Sequence, residues 1–342
     1  MNRLGNWLAA AGIALAGSAL TLAAAQADTL SDVKSRGSLK CGVNQGLIGF
    51  ATPDDKGNWS GFDVDLCRAV AAAIFDDPAK VTFVPLSADQ RFPALQKGEV
   101  DVLSRNSTWT LGREADLKLM FAAVSYYDGQ GFLVRDAQKK TSALELGGSK
   151  VCVQRGTTTA LNVVDYFKAN GMELQLIELP GVPEVLKAYD EGGCDVITAD
   201  VSQLYALRLR LGKPGDHIVL PDVISKEPLG PVVRQGDDPW LNVVKWTYYA
   251  LLNAEELGVS TATLDQALKS DKPDVKRLVG TDGNYGEQLG LTKDWAVRAV
   301  RAVGNYGEVF ERNIGSGSKL GIPRGVNQLW SAGGIQYAPP IR

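Results

Sequence analysis

Short β-rich runs alternate with helical patterns along most of this chain, and that alternation restricts the fold more than any single motif. LKCGV, KVTFVPL, VDVLS, GFLV, KVCVQ, LQLIEL, CDVITA and HIVL read as buried strands. Between them GFDVDLCRAVAAAIF, RFPALQKG, TTALNVVDYFKANG, PEVLKAYDEGG and VSQLYALRLRLG read as helices. Strands joined through helices pair in parallel and are covered on both faces, so the expected class is α/β with mostly parallel sheets. A weak internal repeat divides the pattern in two. Leu95 leads to Gly98, Asp101 and Asn106, and Leu186 leads to Gly192, Asp195 and Asp200. In each copy a helix stops at glycine, an aspartate opens a strand, and a polar residue stands five positions later. The strand openings LKCGV and KVCVQ also correspond, each with a central cysteine. Asn106 and Asp200 are then expected at equivalent carboxyl ends of strands in two similar lobes, the edge at which open α/β sheets bind ligands.

Two Gly/Pro-rich stretches, Asp128 to Gly131 and Lys226 to Pro231, are the expected crossings of a two-stranded hinge. They assign residues 28–130 and 229–342 to the first lobe, with a C-terminal extension, and 131–228 to the second. After the second crossing, Asp238 and Pro239 read as the cap and first turn of a long helix. The duplicated GNYGE at 283–287 and 304–308 reads as turns bracketing the helix DWAVRAVRAVG.

The first 27 residues carry Arg3, a weakly apolar run from Leu8 to Ala25 and an A-x-A site, which is the pattern of a cleaved secretory signal peptide. Cleavage after Ala27 leaves 315 of the 342 residues, more than one ordinary domain, and moves the formal charge from −3 to −4. A mildly acidic chain without a Lys/Arg block is a poor nucleic-acid or membrane-surface binder. Four cysteines in an exported chain suggest two disulfides with three alternative pairings. Cys41–Cys67 and Cys152–Cys194 are favoured because each then lies within one lobe. Zinc is not expected, because no C-x-x-C occurs and His217 is the only histidine.

The chemistry concentrates in RNSTWTLGRE and QRGTTT. An arginine in a first helical turn opposes the helix dipole, so Arg113 needs another reason to be there. Bidentate binding of a carboxylate is one, with Asn106, Ser107 and Thr108 beside it. Gln154 to Thr159 forms the counterpart, a strand end, glycine and hydroxyl-rich helix start suited to an anion. Asp200 can pair with an ammonium or cap the helix that follows it. Together these groups match both charges of a zwitterion. No G-x-S-x-G or triad is evident, and no cofactor is expected.

GFDVDLCRAVAAAIF, FPALQKGEVDVLSRNSTWTLGRE, YYDGQGFLV, QRGTTT and CDVITADVSQLY, in this order, resemble the polar amino-acid-binding proteins of ABC importers. The likeness is closest to the general L-amino-acid and glutamate/glutamine/aspartate/asparagine branch, and it spans the mature chain. The resemblance implies a two-lobed periplasmic-binding-protein fold and a periplasmic monomer that delivers an L-amino acid to an inner-membrane ABC permease. It implies Arg113 on the α-carboxylate, assisted by Thr108 and the Thr158 amide, with Gly156 and Thr157 in the same loop. Asp200 and the Asn106 carbonyl would hold the α-amine, and Arg91 would read an acidic side chain. Arg155 and Gln45 are weaker side-chain candidates, and Phe50 or Trp109 would wall the site. Gly112 stands where many relatives carry an acidic residue. The alternative is a cyclohexadienyl-type dehydratase on the same fold.

Overall fold

The structure, a computed structural model, describes residues 28–342, and the expected signal peptide lies outside the described residues. Two five-stranded sheets form. In the first the order is Val81–Leu86, Leu39–Asn44, Val102–Leu103, Val232–Arg234 and Leu119–Phe121. In the second it is Gln175–Leu179, Lys150–Gln154, Val196–Asp200, Gln130–Arg135 and His217–Val219. The first three strands of each sheet pair in parallel and the remaining pairings are antiparallel. A separate antiparallel pair, Tyr126–Asp128 with Glu227–Leu229, lies at the two crossings between the sheets.

The repeat has a physical basis in both sheets. Gly98 and Gly192 adopt φ of 72° and 77°, the left-handed conformation that ends each preceding helix. The following aspartates do the same work. Asp101 Oδ2 accepts from the Lys40 amide at 2.7 Å, and Asp195 Oδ2 accepts from the Lys150 amide at 2.9 Å. Each aspartate thereby fixes the start of the neighbouring strand and sets the register that carries Asn106 and Asp200 to the sheet edges. Cys41 is bonded to Cys67 and Cys152 to Cys194, each pair tying a strand to a segment of its own lobe.

The core of the first lobe is shared with the C-terminal part. The amphipathic helix Trp295–Val303 buries Trp295, Val297, Val300 and Val303 and packs on Phe62–Phe75. Trp240, 1 % exposed, donates its Nε1 to the Asp101 carbonyl at 2.9 Å, and burial of such a side chain contributes about 2–3 kcal/mol. The long helix runs Asp238–Glu256, and its cap is Asp237 rather than Asp238, because Asp237 accepts from the Trp240 amide. The GNYGE copies also differ from expectation. Asn305 opens the helix Tyr306–Asn313 with a capping box to Glu308, and Asn284 precedes the short helix Tyr285–Gln288 without a side-chain cap.

Candidate functional site

The two sheet edges face each other across a cavity that is partly open to solvent. Arg91, Arg105, Asn106, Thr108 and Arg113 line it from the first lobe. The second lobe supplies Gln154, the threonines 157–159 and the strand end through Asp200. Val182, Val185, Ile197 and Leu207 form an apolar wall, with Gln203 among them.

Arg113 lies in the short helix Leu111–Ala115, whose cap Thr110 accepts from the Arg113 amide at 3.3 Å. Its Nη1 donates to the Thr108 carbonyl at 2.7 Å, and its guanidinium lies 5.0 Å from the Phe92 ring centre. Arg91 stacks on the same ring at 4.7 Å, so one aromatic side chain orients both cations. Burial holds the Arg113 pKa below the usual arginine value, with Glu227 and Asp200 opposing the shift.

Asp200 ends its strand 7 % exposed, and among the described residues its carboxylate accepts no hydrogen bond. Burial pushes its pKa well up, reinforced by the negative charges of Asp128 and Glu227 and opposed by Arg113 and Arg91. It does not cap the following helix, Val201–Arg208. Asp128 does that from the hinge, accepting from the Ser202 amide at 3.3 Å and from the Ser202 hydroxyl. Burial raises the Asp128 carboxyl to about 6 in spite of those bonds. Asp200 is left free to face the cavity.

Asn106 takes a left-handed φ of 33°, which asparagine tolerates better than most residues. Its amide donates to Asp63 Oδ2 at 2.9 Å, and its Oδ1 accepts from Asn44 Nδ2 at 3.0 Å. Asp63, from the GFD segment, also accepts from the Ser104 hydroxyl, yet burial raises its pKa to about 6. It braces the strand end from behind.

The hydroxyls of Thr108 and Thr158 are taken up by a carboxylate of the protein itself. Both donate to Glu227 Oε2, at 2.6 and 2.9 Å, while Asn162 and Ser225 donate to Oε1, each at 2.7 Å. Glu227, 1 % exposed in the hinge, thus joins both lobes. Arg91 adds a second link, donating Nη2 to the Gly156 carbonyl at 3.2 Å.

Several expected residues lie elsewhere. Ser107 is fully buried and donates to the Arg105 carbonyl. Phe50 belongs to the core, with its ring 5.5 Å from Tyr126 and 6.2 Å from Phe62. Trp109 stacks on Phe121 outside the cavity. Gln45 and Arg155 are exposed and do not line the cavity. Arg105, Glu227, Asp63 and the apolar wall are the groups that sequence reasoning missed. A lone acid inside a Gly/Pro hinge, at Glu227, was the one available hint.

Two α/β lobes joined by paired strands, with charged strand ends facing a common cavity, define the two-lobed periplasmic-binding-protein fold. The profile of bacterial extracellular solute-binding proteins, family 3, matches residues 39–262, and the chain belongs to that family. It is 57% identical over 339 residues to the general L-amino acid-binding periplasmic protein AapJ of Rhizobium johnstonii, covering 98% of this chain and 99% of that one. It is 51% identical to the glutamate/glutamine/aspartate/asparagine-binding protein BztA of Rhodobacter capsulatus, covering 95% of this chain and 96% of that protein. A solved periplasmic binding protein from Brucella ovis with glutathione bound is 57% identical with a TM-score of 0.91, covering 92% of this chain and 100% of that one. The dehydratase alternative meets a distant neighbour, an ancestral amino-acid-binding protein described as a precursor of cyclohexadienyl dehydratase. That structure is 29% identical with a TM-score of 0.57, over 67% of this chain and 95% of its own. Among the described residues no helix is long and apolar enough to cross a membrane.

Proposed function

We propose that this protein binds an L-α-amino acid between its lobes and delivers it to an inner-membrane ABC permease, without transforming it. The observation that carries this reading is the placement of Arg113 and Asp200 on opposite walls of one cavity, the aspartate buried and without a partner. Arg113 takes the α-carboxylate together with backbone amides at the start of Thr159–Ala169, a helix with no side-chain cap. Asp200 and the Asn106 carbonyl take the α-ammonium. Arg91 reads an acidic side chain, which favours glutamate and aspartate with glutamine and asparagine as further ligands. The protein acts as an exported monomer, cleaved after Ala27, with lobes 28–130 plus 229–342 and 131–228, and binds no nucleic acid.

Native mass spectrometry of purified protein, followed by calorimetric titration after unfolding and refolding to strip ligand, tests this. An α-amino acid should co-purify and rebind. Refolded protein that takes up no L-amino acid would overturn the reading, and turnover of arogenate or prephenate would restore the dehydratase alternative.

A γ-glutamyl peptide is a second reading. The Brucella protein carries glutathione, and a glutamyl end presents the same α-carboxylate and α-ammonium. The apolar wall at Val182, Val185, Ile197 and Leu207 extends the cavity beyond the two-charge clamp. Glutathione belongs in the same titration, and weaker binding than glutamate would remove it.

A further inference from the structure

Three guanidiniums, those of Arg91, Arg105 and Arg113, line the cavity against a single carboxylate, Asp200. Arg91 and Arg105 are each 3 % exposed, and none of the three forms an ion pair with a carboxylate among the described residues. A zwitterion held by Arg113 and Asp200 uses one cation and one anion, which leaves two buried cations without a carboxylate in contact. Buried charges are costly unless paired, so this arrangement points to a further anion on the ligand.

Arg105 is the less obvious of the two remaining cations. Its Nε donates to the Leu86 carbonyl at 3.0 Å, which fixes the side chain, but its two Nη groups have no acceptor among the described residues. Two arginines away from the cavity, by contrast, use both Nη groups on acceptors of the protein. Arg234 places Nη1 on the Leu95 and Val100 carbonyls and Nη2 on the Thr29 hydroxyl. Arg324 places both on Glu255 and Nη2 also on the Asn327 carbonyl. Arg91 shows the same incompleteness as Arg105, with Nε buried and unpartnered and only one bond, to Gly156. Asp63 and Asp89 lie close enough to act on Arg105 electrostatically, yet burial dominates and lowers its pKa to about 10.

We propose that Arg105 is a specificity-determining residue that grips a distal carboxylate together with Arg91, so that the preferred ligand carries two carboxylates and one ammonium. The assignment rests on the α-amino-acid reading above, in which Arg113 and Asp200 are already occupied. Each guanidinium offers a planar set of donors that suits a carboxylate, and a neutral amide has fewer acceptors to offer.

Calorimetric titration of wild type, Arg105→Gln and Arg105→Lys with L-glutamate, L-glutamine and L-alanine tests the assignment. Wild type should bind glutamate at least ten-fold more tightly than glutamine. Arg105→Gln should lose about 10–100-fold in glutamate affinity, the scale of charge-assisted hydrogen bonds. It should change glutamine and alanine less than about 3-fold. Arg105→Lys should keep the preference for glutamate at reduced strength. Equal losses for all three ligands would make Arg105 a scaffold residue acting through Leu86, and no loss would make it a bystander. Either result overturns the proposal. Should Arg105→Gln fail to fold, the wild-type ratio decides: glutamine binding as tightly as glutamate overturns it. Absence of binding by all three ligands to wild type instead removes the amino-acid reading itself, and Arg105's assignment with it.

Discussion

At the scale of single residues, the site is governed by what each buried charge finds as a partner. On the proposed reading Arg113 and Asp200 hold groups common to every α-amino acid, so Arg113→Ala should weaken all such ligands together. Asp200→Asn should do the same, by at least ten-fold each, because an ammonium loses a charged acceptor worth about 1.5–3 kcal/mol. Arg91→Ala should instead weaken glutamate and aspartate more than glutamine and asparagine. Titration of all four ligands separates the two patterns, and identical profiles for Arg113→Ala and Arg91→Ala would refute the division of roles. Asp63 makes a pH prediction. Its folded pKa of about 6 lies above the ordinary 3.8, so the folded state holds a proton that the unfolded state releases first. That contribution to stability is present below about pH 4 and lost as the pH rises through about 6. Asp128 titrates in the same window, so the readout is a difference. Thermal unfolding of wild type and Asp63→Asn between pH 4 and 7 should show wild type losing stability relative to the variant as pH rises.

At the scale of elements, caps and glycine stops decide where the functional side chains emerge. Asn305 accepts from the Glu308 amide at 3.0 Å and also donates Nδ2 to the buried Val259 carbonyl at 2.9 Å. Asn305→Ala should therefore cost about 1–2 kcal/mol in denaturant unfolding, while Asn284→Ala, in the uncapped copy, should stay within about 0.5 kcal/mol. Equal costs would show that the duplicated motif, not the cap, matters. The strands, their helices and both sheet-edge positions were legible because they depend on local signals: apolar runs, glycine stops, and an aspartate at a fixed offset. Arg113 and Asp200 inherit that legibility. Phe50, which the resemblance set at the wall of the site, packs in the core against Phe62 and Tyr126, a contact that position in a motif does not reveal. Arg105 and Glu227 were illegible for another reason. Their meaning lies in partners far along the chain, Leu86 for one and Thr108, Thr158 and Asn162 for the other. No spacing rule encodes such contacts.

At the scale of the whole molecule, Glu227 couples the lobes. Thr108 comes from the first lobe, Thr158 and Asn162 from the second, and the carboxylate itself stands on a hinge strand. These bonds tie the two lobes together in this structure, and separating the lobes would break them, so they are expected to favour a closed form over an open one. A ligand stabilises closure only through such a difference between states, and its apparent affinity falls with the fraction of molecules able to close. Glu227→Gln keeps the size but removes the charge and replaces one acceptor by a donor. It then confronts two of the four surrounding donors with an N–H group. The open form should gain, and affinity for every amino acid should fall by a common factor of at least ten. Small-angle scattering with and without saturating glutamate is the direct check. The variant should be more extended than wild type without ligand, and both should converge when saturated. A loss confined to acidic ligands would mean that Glu227 acts by its charge on the ligand. Unchanged dimensions together with unchanged affinity would show that the hinge closes without it.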